Sequence, residues 1–172
     1  MANYIKIKNF DIANGSGIGV SIFFAGCDME PKCHGCFNSE AWSFDAGELF
    51  TNDTLNEVLK LVSNSHISHL SILGGEPLAE ANIPAVSKLC NKVKTYYSDK
   101  KIWLWTHYKW ESLIENEFIR VFILPYIDIL VDGEFIEKEK DLTLPWCGSR
   151  NQRVVDVKES LKQSKVVLYE TN

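Results

Sequence analysis

Four short apolar runs of β-forming residues alternate with amphipathic helical stripes, and every run ends in a polar or glycine-rich segment. The runs cover 20–25, 67–73, 102–106 and 127–131. Between them, Leu55, Val58, Leu59 and Val62 share one helical face within 52–64, where Asn52 or Asp53 is placed to cap the first turn. Ile83, Val86, Leu89, Cys90, Val93 and Tyr97 form a second stripe across 82–97, and 110–122 reads as a third amphipathic helix. Strands that alternate with helices imply parallel βαβ crossovers, so the expected fold is α/β around a mostly parallel sheet. Residues 4–7 read as a further short strand, and 152–161 with 165–169 as a last strand or helix.

Parallel α/β sheets bind ligands beyond the carboxyl ends of their strands. Here those ends carry Cys27, then Gly74-Gly75-Glu76-Pro77, then Thr106-His107, then Asp132-Gly133. Four strand ends would therefore face one site. A Gly-Gly pair suits close approach of backbone to a ligand, because no Cβ intervenes and unusual dihedrals are allowed. Glu76 would offer a carboxylate to a ligand ammonium, and Pro77 stiffens the turn. The same four residues also suit an ordinary tight strand-to-helix turn.

Three of the five cysteines, Cys27, Cys33 and Cys36, crowd the loop that follows the first strong run. An odd count with such clustering argues against a disulfide framework and for reduced thiols inside a cell. Thiolates at this spacing can converge on one metal centre. Closed structural zinc sites and ordinary iron–sulfur clusters take four protein ligands. Three thiolates on a cubane cluster leave one iron free for a substrate. Zinc with His34 as fourth ligand is the main alternative, but His34 adjoins Cys33, and neighbouring side chains seldom reach one tetrahedral centre together. Cys90, on an apolar helical stripe, reads as a core thiol. Cys147 reads as a free thiol, with a role beside the site left open.

His66 and His69 flank the start of a strand and are expected at the surface. His107 stands at a strand end, where a structural role and a site role are both open. Trp103 and Trp105 alternate with Ile102 and Leu104, so both faces of that strand are apolar and the tryptophans are expected in the core.

The 172 residues suffice for one domain spanning 1–172. A net charge of −5 lacks the basic patch of a nucleic-acid binder. No apolar segment is long enough for a bilayer, and residues 1–10 lack the layout of a signal peptide, so a cytoplasmic protein is expected. The stretch 133–151, punctuated by Pro145 and Gly148, is long and irregular, and such loops are usually functional or disordered. It is the candidate for contact with a partner.

Together these residues resemble the radical S-adenosylmethionine superfamily, and within it the proteins that activate anaerobic ribonucleotide reductase. Asp11-Ile12-Ala13-Asn14-Gly15-Ser16-Gly17 is similar to the family's N-terminal Asn-Gly loop. Gly35-Cys36-Phe37-Asn38, with Trp42 shortly after, resembles its Gly-Cys-Tyr-Asn segment. Leu73-Gly74-Gly75-Glu76-Pro77-Leu78 matches its glycine-glycine-acid-proline motif, and the segment from Ile102 to Tyr108 resembles a tryptophan-rich strand. Val131-Asp132-Gly133 and Gly148-Ser149-Arg150-Asn151-Gln152-Arg153 resemble two late motifs. The chain departs from the pattern by placing five residues, Asp28 to Lys32, between the first two cysteines where three are usual. His107 stands where glycine is usual, and Cys147 where arginine is common.

The resemblance implies an incomplete β/α barrel, a single compact domain whose curved sheet surrounds the cofactors. Cys27, Cys33 and Cys36 would hold three irons of a 4Fe–4S cluster, with S-adenosylmethionine on the open iron. Gly74, Gly75 and Glu76 would secure its methionine end, and Gly35, Cys36 and Phe37 would border it. The implied activity is reductive cleavage of S-adenosylmethionine, with hydrogen abstraction from a glycine of the large reductase subunit. Reduced flavodoxin or ferredoxin would supply the electron. Other readings are an activase for another glycyl-radical enzyme such as formate lyase, a radical enzyme for a small molecule or peptide, and a non-catalytic zinc-binding module.

Overall fold

The computed structural model describes residues 1–170 and has one sheet of seven strands. In chain order these are β1 (Asn3–Asp11), β2 (Gly19–Phe24), β3 (Glu48–Leu49), β4 (His69–Gly74), β5 (Lys101–Trp105), β6 (Ile129–Asp132) and β7 (Arg153–Asp156). Their spatial order is β3-β1-β2-β4-β5-β6-β7. The four central strands β2, β4, β5 and β6 are parallel, as the alternation predicts. Antiparallel strands flank them, β1 and β3 on one side and β7 on the other. The sheet is open, mixed at its edges and parallel in its middle.

Five helices follow: α1 (Asn52–Val62), α2 (Ile83–Tyr96), α3 (Trp110–Glu115), α4 (Glu117–Phe122) and α5 (Val157–Gln163). All five contribute side chains to the same apolar layer on one sheet face. The pleat explains which strand residues meet them. In register, Ile22, Ile72, Leu104 and Leu130 line up across the parallel strands and face the helices. Their neighbours Phe23, Leu73 and Trp105 point to the opposite face, since successive strand side chains alternate. Among the described residues no α-helix packs on that opposite face. Loops cover it instead, and a cavity forms between them and the sheet.

Several elements differ from the sequence-based expectation. The helix expected over 110–122 is two helices, because Asn116 adopts an extended conformation and its side chain accepts from the Ile119 N–H, capping α4. The cap of α1 is Thr51 rather than Asn52 or Asp53, with a reciprocal capping box to Thr54. The strand expected over 4–7 extends as β1 to Asp11. His69 is fully buried rather than at the surface, and its ring fills the space beside Gly15 and Gly19. A Cβ on Gly19 would lie 2.1 Å from His69 Nε2, which explains why glycine stands there. His66 is exposed, as expected. Among the described residues no helix is long and apolar enough to cross a membrane.

Candidate metal and cofactor site

Gly26 has a positive φ of 88° at the end of β2, which turns the chain out of the sheet and into the cysteine loop. Its N–H donates to Ala41 O, and the next residue, Cys27, donates to Trp42 O. A second turn follows β4. There Gly74 has a φ of 120°, Gly75 donates to Phe24 O, and Glu76 donates to Gly26 O at 2.7 Å. Two strand ends are therefore stitched together through main chain. The space usually filled by side chains is occupied by backbone. A Cβ on Gly74 would lie 2.3 Å from Phe24 O, and one on Gly75 would lie 2.3 Å from Gly26 O. The close approach that the Gly-Gly pair permits is thus to the chain's own backbone.

Cys27, Cys33 and Cys36 all line one cavity of about 660 Å³, together with Gly74, Gly75, Thr106, His107 and Gly133. All four carboxyl ends of the parallel strands meet there, as the strand-end motifs predict. Phe37 lines the same cavity, as do Asn14 from the N-terminal loop and Trp146 and Cys147 from the late segment. Cys147 therefore sits beside the site. Cys90 is buried in the helix-side core, as its stripe predicts. Trp103 is fully buried, whereas Trp105 is half-buried and lines the cavity.

Among the described residues no three His, Cys, Asp or Glu side chains close on a single ion-sized point. A zinc ion requires such a point, with thiolates about 2.3 Å away. A cubane carries its thiolates on separate iron corners, so it asks only that the three thiols line one cavity, as Cys27, Cys33 and Cys36 do. Burial pushes the Cys27 thiol up to about 11, against a hydrogen bond from the Met29 N–H. Burial also raises Cys33, whose sulfur accepts from the Phe135 N–H. These thiols are protonated at neutral pH without metal, so loading iron releases protons. The two N–H groups aimed at sulfur then favour the thiolates.

Glu76 is placed differently from a free acceptor. Its side chain is completely buried, Oε1 accepting from Leu78 N–H and Thr106 Oγ1 and Oε2 from His107 N–H, each at 2.8 Å. Burial pushes its carboxyl up to about 7, and these donors together with the His107 ring oppose that rise. The carboxylate ties the turn after β4 to the end of β5. Asp28, the residue after Cys27, is marked by no sequence signal. Burial raises its carboxyl, but hydrogen bonds with Tyr108 and His107 outweigh that and hold it below its ordinary value.

The late segment 133–151 roofs the cavity. Phe135 packs on Phe37 with ring centroids 5.0 Å apart, and the His34 ring pairs with Glu137. Lys140 lies 5.1 Å above the Phe37 ring, and Trp105 Nε1 donates to Trp146 O at 2.9 Å. A short 3-10 turn at Glu137–Glu139 and a bridge between Lys140 and Ser149 give the segment its own order.

Residues 13–155 match the family model of a 4Fe-4S single cluster domain. The chain is 39% identical over 152 residues to the anaerobic ribonucleoside-triphosphate reductase-activating protein of Vibrio cholerae, covering 87% of this chain and 95% of that one. The protein of the same name from Enterobacteria phage T4 is 38% identical, over 88% of this chain and 92% of its own. That of Escherichia coli K12 is 34% identical, over 88% and 97%. No solved structure gives a significant match.

Proposed function

The chain belongs to the family of anaerobic ribonucleoside-triphosphate reductase-activating proteins, and we propose that it generates the glycyl radical of such a reductase. The observation that carries this reading is that Cys27, Cys33, Cys36 and the Gly74-Gly75 turn all line one cavity. When bound, a 4Fe–4S cluster with S-adenosylmethionine supplies reductive cleavage to a 5′-deoxyadenosyl radical, which removes a hydrogen from a glycine Cα of the partner.

The chain's own part is to hold, orient and shield. Cys27, Cys33 and Cys36 would hold the cluster through their thiolates and leave it open to S-adenosylmethionine on the cavity side. Gly74 and Gly75 border the methionine end, with Glu76 bracing the turn from behind. Gly35, Cys36 and Phe37 border the rest of the cofactor, and the roof formed by 133–151 limits water. In this reading the open sheet bends around the cofactors as an incomplete β/α barrel, and residues 1–172 form one cytoplasmic domain. The partner is the large reductase subunit, and reduced flavodoxin or ferredoxin delivers the electron. Close placement of the target glycine beside the cofactor keeps an indiscriminate radical on one path.

The test is electron paramagnetic resonance of the reduced protein mixed with S-adenosylmethionine and the cognate reductase. A glycyl doublet, with methionine and 5′-deoxyadenosine as products, is expected. A doublet on formate lyase but not on the reductase would redirect the reading to that partner. Cleavage with no protein radical on either would point to a small-molecule substrate.

A further inference from the structure

The loop that begins at Cys27 leaves the sheet at the end of β2, yet its first polar side chain is tied to a different strand. Asp28 Oδ2 accepts from Tyr108 Oη at 2.5 Å, and Asp28 Oδ1 lies 3.0 Å from His107 Nε2. Those partners follow β5 and are 80 and 79 residues further along the chain. The His107 ring also lies 3.6 Å from Glu76 Oε2, the oxygen that accepts the His107 backbone N–H. One residue thus bridges the carboxylate after the first thiol and the carboxylate of the Gly-Gly-Glu turn.

The circuit closes through main chain. Glu76 N–H donates to Gly26 O, so Gly26 and Asp28, the two neighbours of Cys27, are both held by groups outside the cysteine loop. Five residues separate Cys27 from Cys33, and a longer connection leaves its ends more conformational freedom to lose. Pinning one end removes that freedom from the thiol that needs a single position.

We propose that Asp28, His107 and Tyr108 are positioning residues, a clamp that fixes Cys27 against the Gly74–Glu76 turn so that its thiol meets the cluster in one geometry. The proposal rests on the reading of Cys27 as a cluster ligand. Gly26 alone cannot do this, because its hydrogen bonds hold the chain before the thiol and leave the direction after it free.

The experiment uses the full chain, reconstituted anaerobically with iron and sulfide, carrying Asp28→Ala, His107→Ala, Tyr108→Phe or their combinations. Two quantities are read: the rate of iron loss to a chelator, and the electron paramagnetic resonance spectrum of the reduced cluster with and without S-adenosylmethionine. Asp28→Ala removes the contacts to both Tyr108 and His107 and is expected to speed iron loss about threefold to tenfold, solvent at this partly exposed site offsetting much of each bond. It is also expected to broaden the spectrum. Adding His107→Ala and Tyr108→Phe to Asp28→Ala should change little more, since the three act as one unit. Asp28→Asn keeps an acceptor and should recover part of the loss.

If metal-free Asp28→Ala unfolds by circular dichroism, Tyr108→Phe carries the test, since it removes one hydroxyl and leaves the ring in place. Wild-type iron loss and spectra in the variants that fold would overturn the clamp. Cys27→Ala separates the two readings. Loss of the cubane there, with Asp28→Ala and Tyr108→Phe unaffected, overturns the clamp alone. A stable cubane in Cys27→Ala overturns the ligand assignment and the clamp with it.

Discussion

Gly26 O stands where a side chain on Gly75 would have to go, 2.3 Å from the position of its Cβ. Ala41 O is only 2.6 Å from the same position, and neither oxygen can swing aside as a side-chain tip could. Gly75→Ala is therefore expected to push apart the ends of β2 and β4, costing about 1–3 kcal/mol by overpacking. Because Gly26 precedes Cys27, reconstituted iron content should fall as well. Urea denaturation of the metal-free protein and an iron assay check both, and wild-type values in each would refute the argument.

Loss of any one of Cys27, Cys33 or Cys36 should abolish the stable cubane. Alanine at each position is expected to bring iron and sulfide well below four per chain and to remove the oxygen-sensitive visible absorption. Cys90→Ala should retain the cluster, because Cys90 lies in the helix-side core across the sheet from the cavity. Cys147→Ala should also retain it, although Cys147 lines the cavity. A cluster lost from Cys147→Ala and kept in one of the first three variants would reassign the ligand set.

The segment 133–151 packs on the cysteine loop through Phe135 on Phe37 and Glu137 on His34. Phe135→Ala removes the ring against Phe37 and loosens the N–H that reaches the Cys33 sulfur. An aromatic pair contributes about 0.5–1.5 kcal/mol beyond its area. Cleavage of S-adenosylmethionine without reductase should then slow about threefold to tenfold. Cleavage at the wild-type rate, with only reductase activation impaired, would restrict the segment to partner contact.

His69 is buried with its Nε2 2.8 Å from Asn14 O, and burial lowers its pKa below the ordinary 6.5. The unfolded chain therefore takes up a proton before the folded one does. Stability from this group is present above about pH 6.5 and is lost as pH falls through the lower folded value. The urea midpoint should drop between pH 7.5 and 5 in the wild type and vary less in His69→Gln. An equal decline in both would place the acid sensitivity elsewhere.

What was legible in the sequence was whatever depends on near neighbours along the chain. Hydrophobic period located the four parallel strands and the two long helices, and strand-end chemistry located the cavity. The break at Asn116 was locally encoded too, as an N-cap before Glu117, but the continuous apolar period across 110–122 masked it. His69 is buried although a polar residue at a strand start reads as exposed, because the glycines at 15 and 19 make room for its ring.

The sequence by itself determined the α/β class, the thiol trio and the family, since spacing and periodicity are properties of one stretch of chain. Tertiary structure alone decided that the helices cover one face, that Glu76 is satisfied from within, and that Asp28 meets His107 and Tyr108. The reason is physical. Burial and hydrogen bonding depend on which groups meet across the sheet, and residues some 80 positions apart become neighbours only when β2 and β5 come to flank β4.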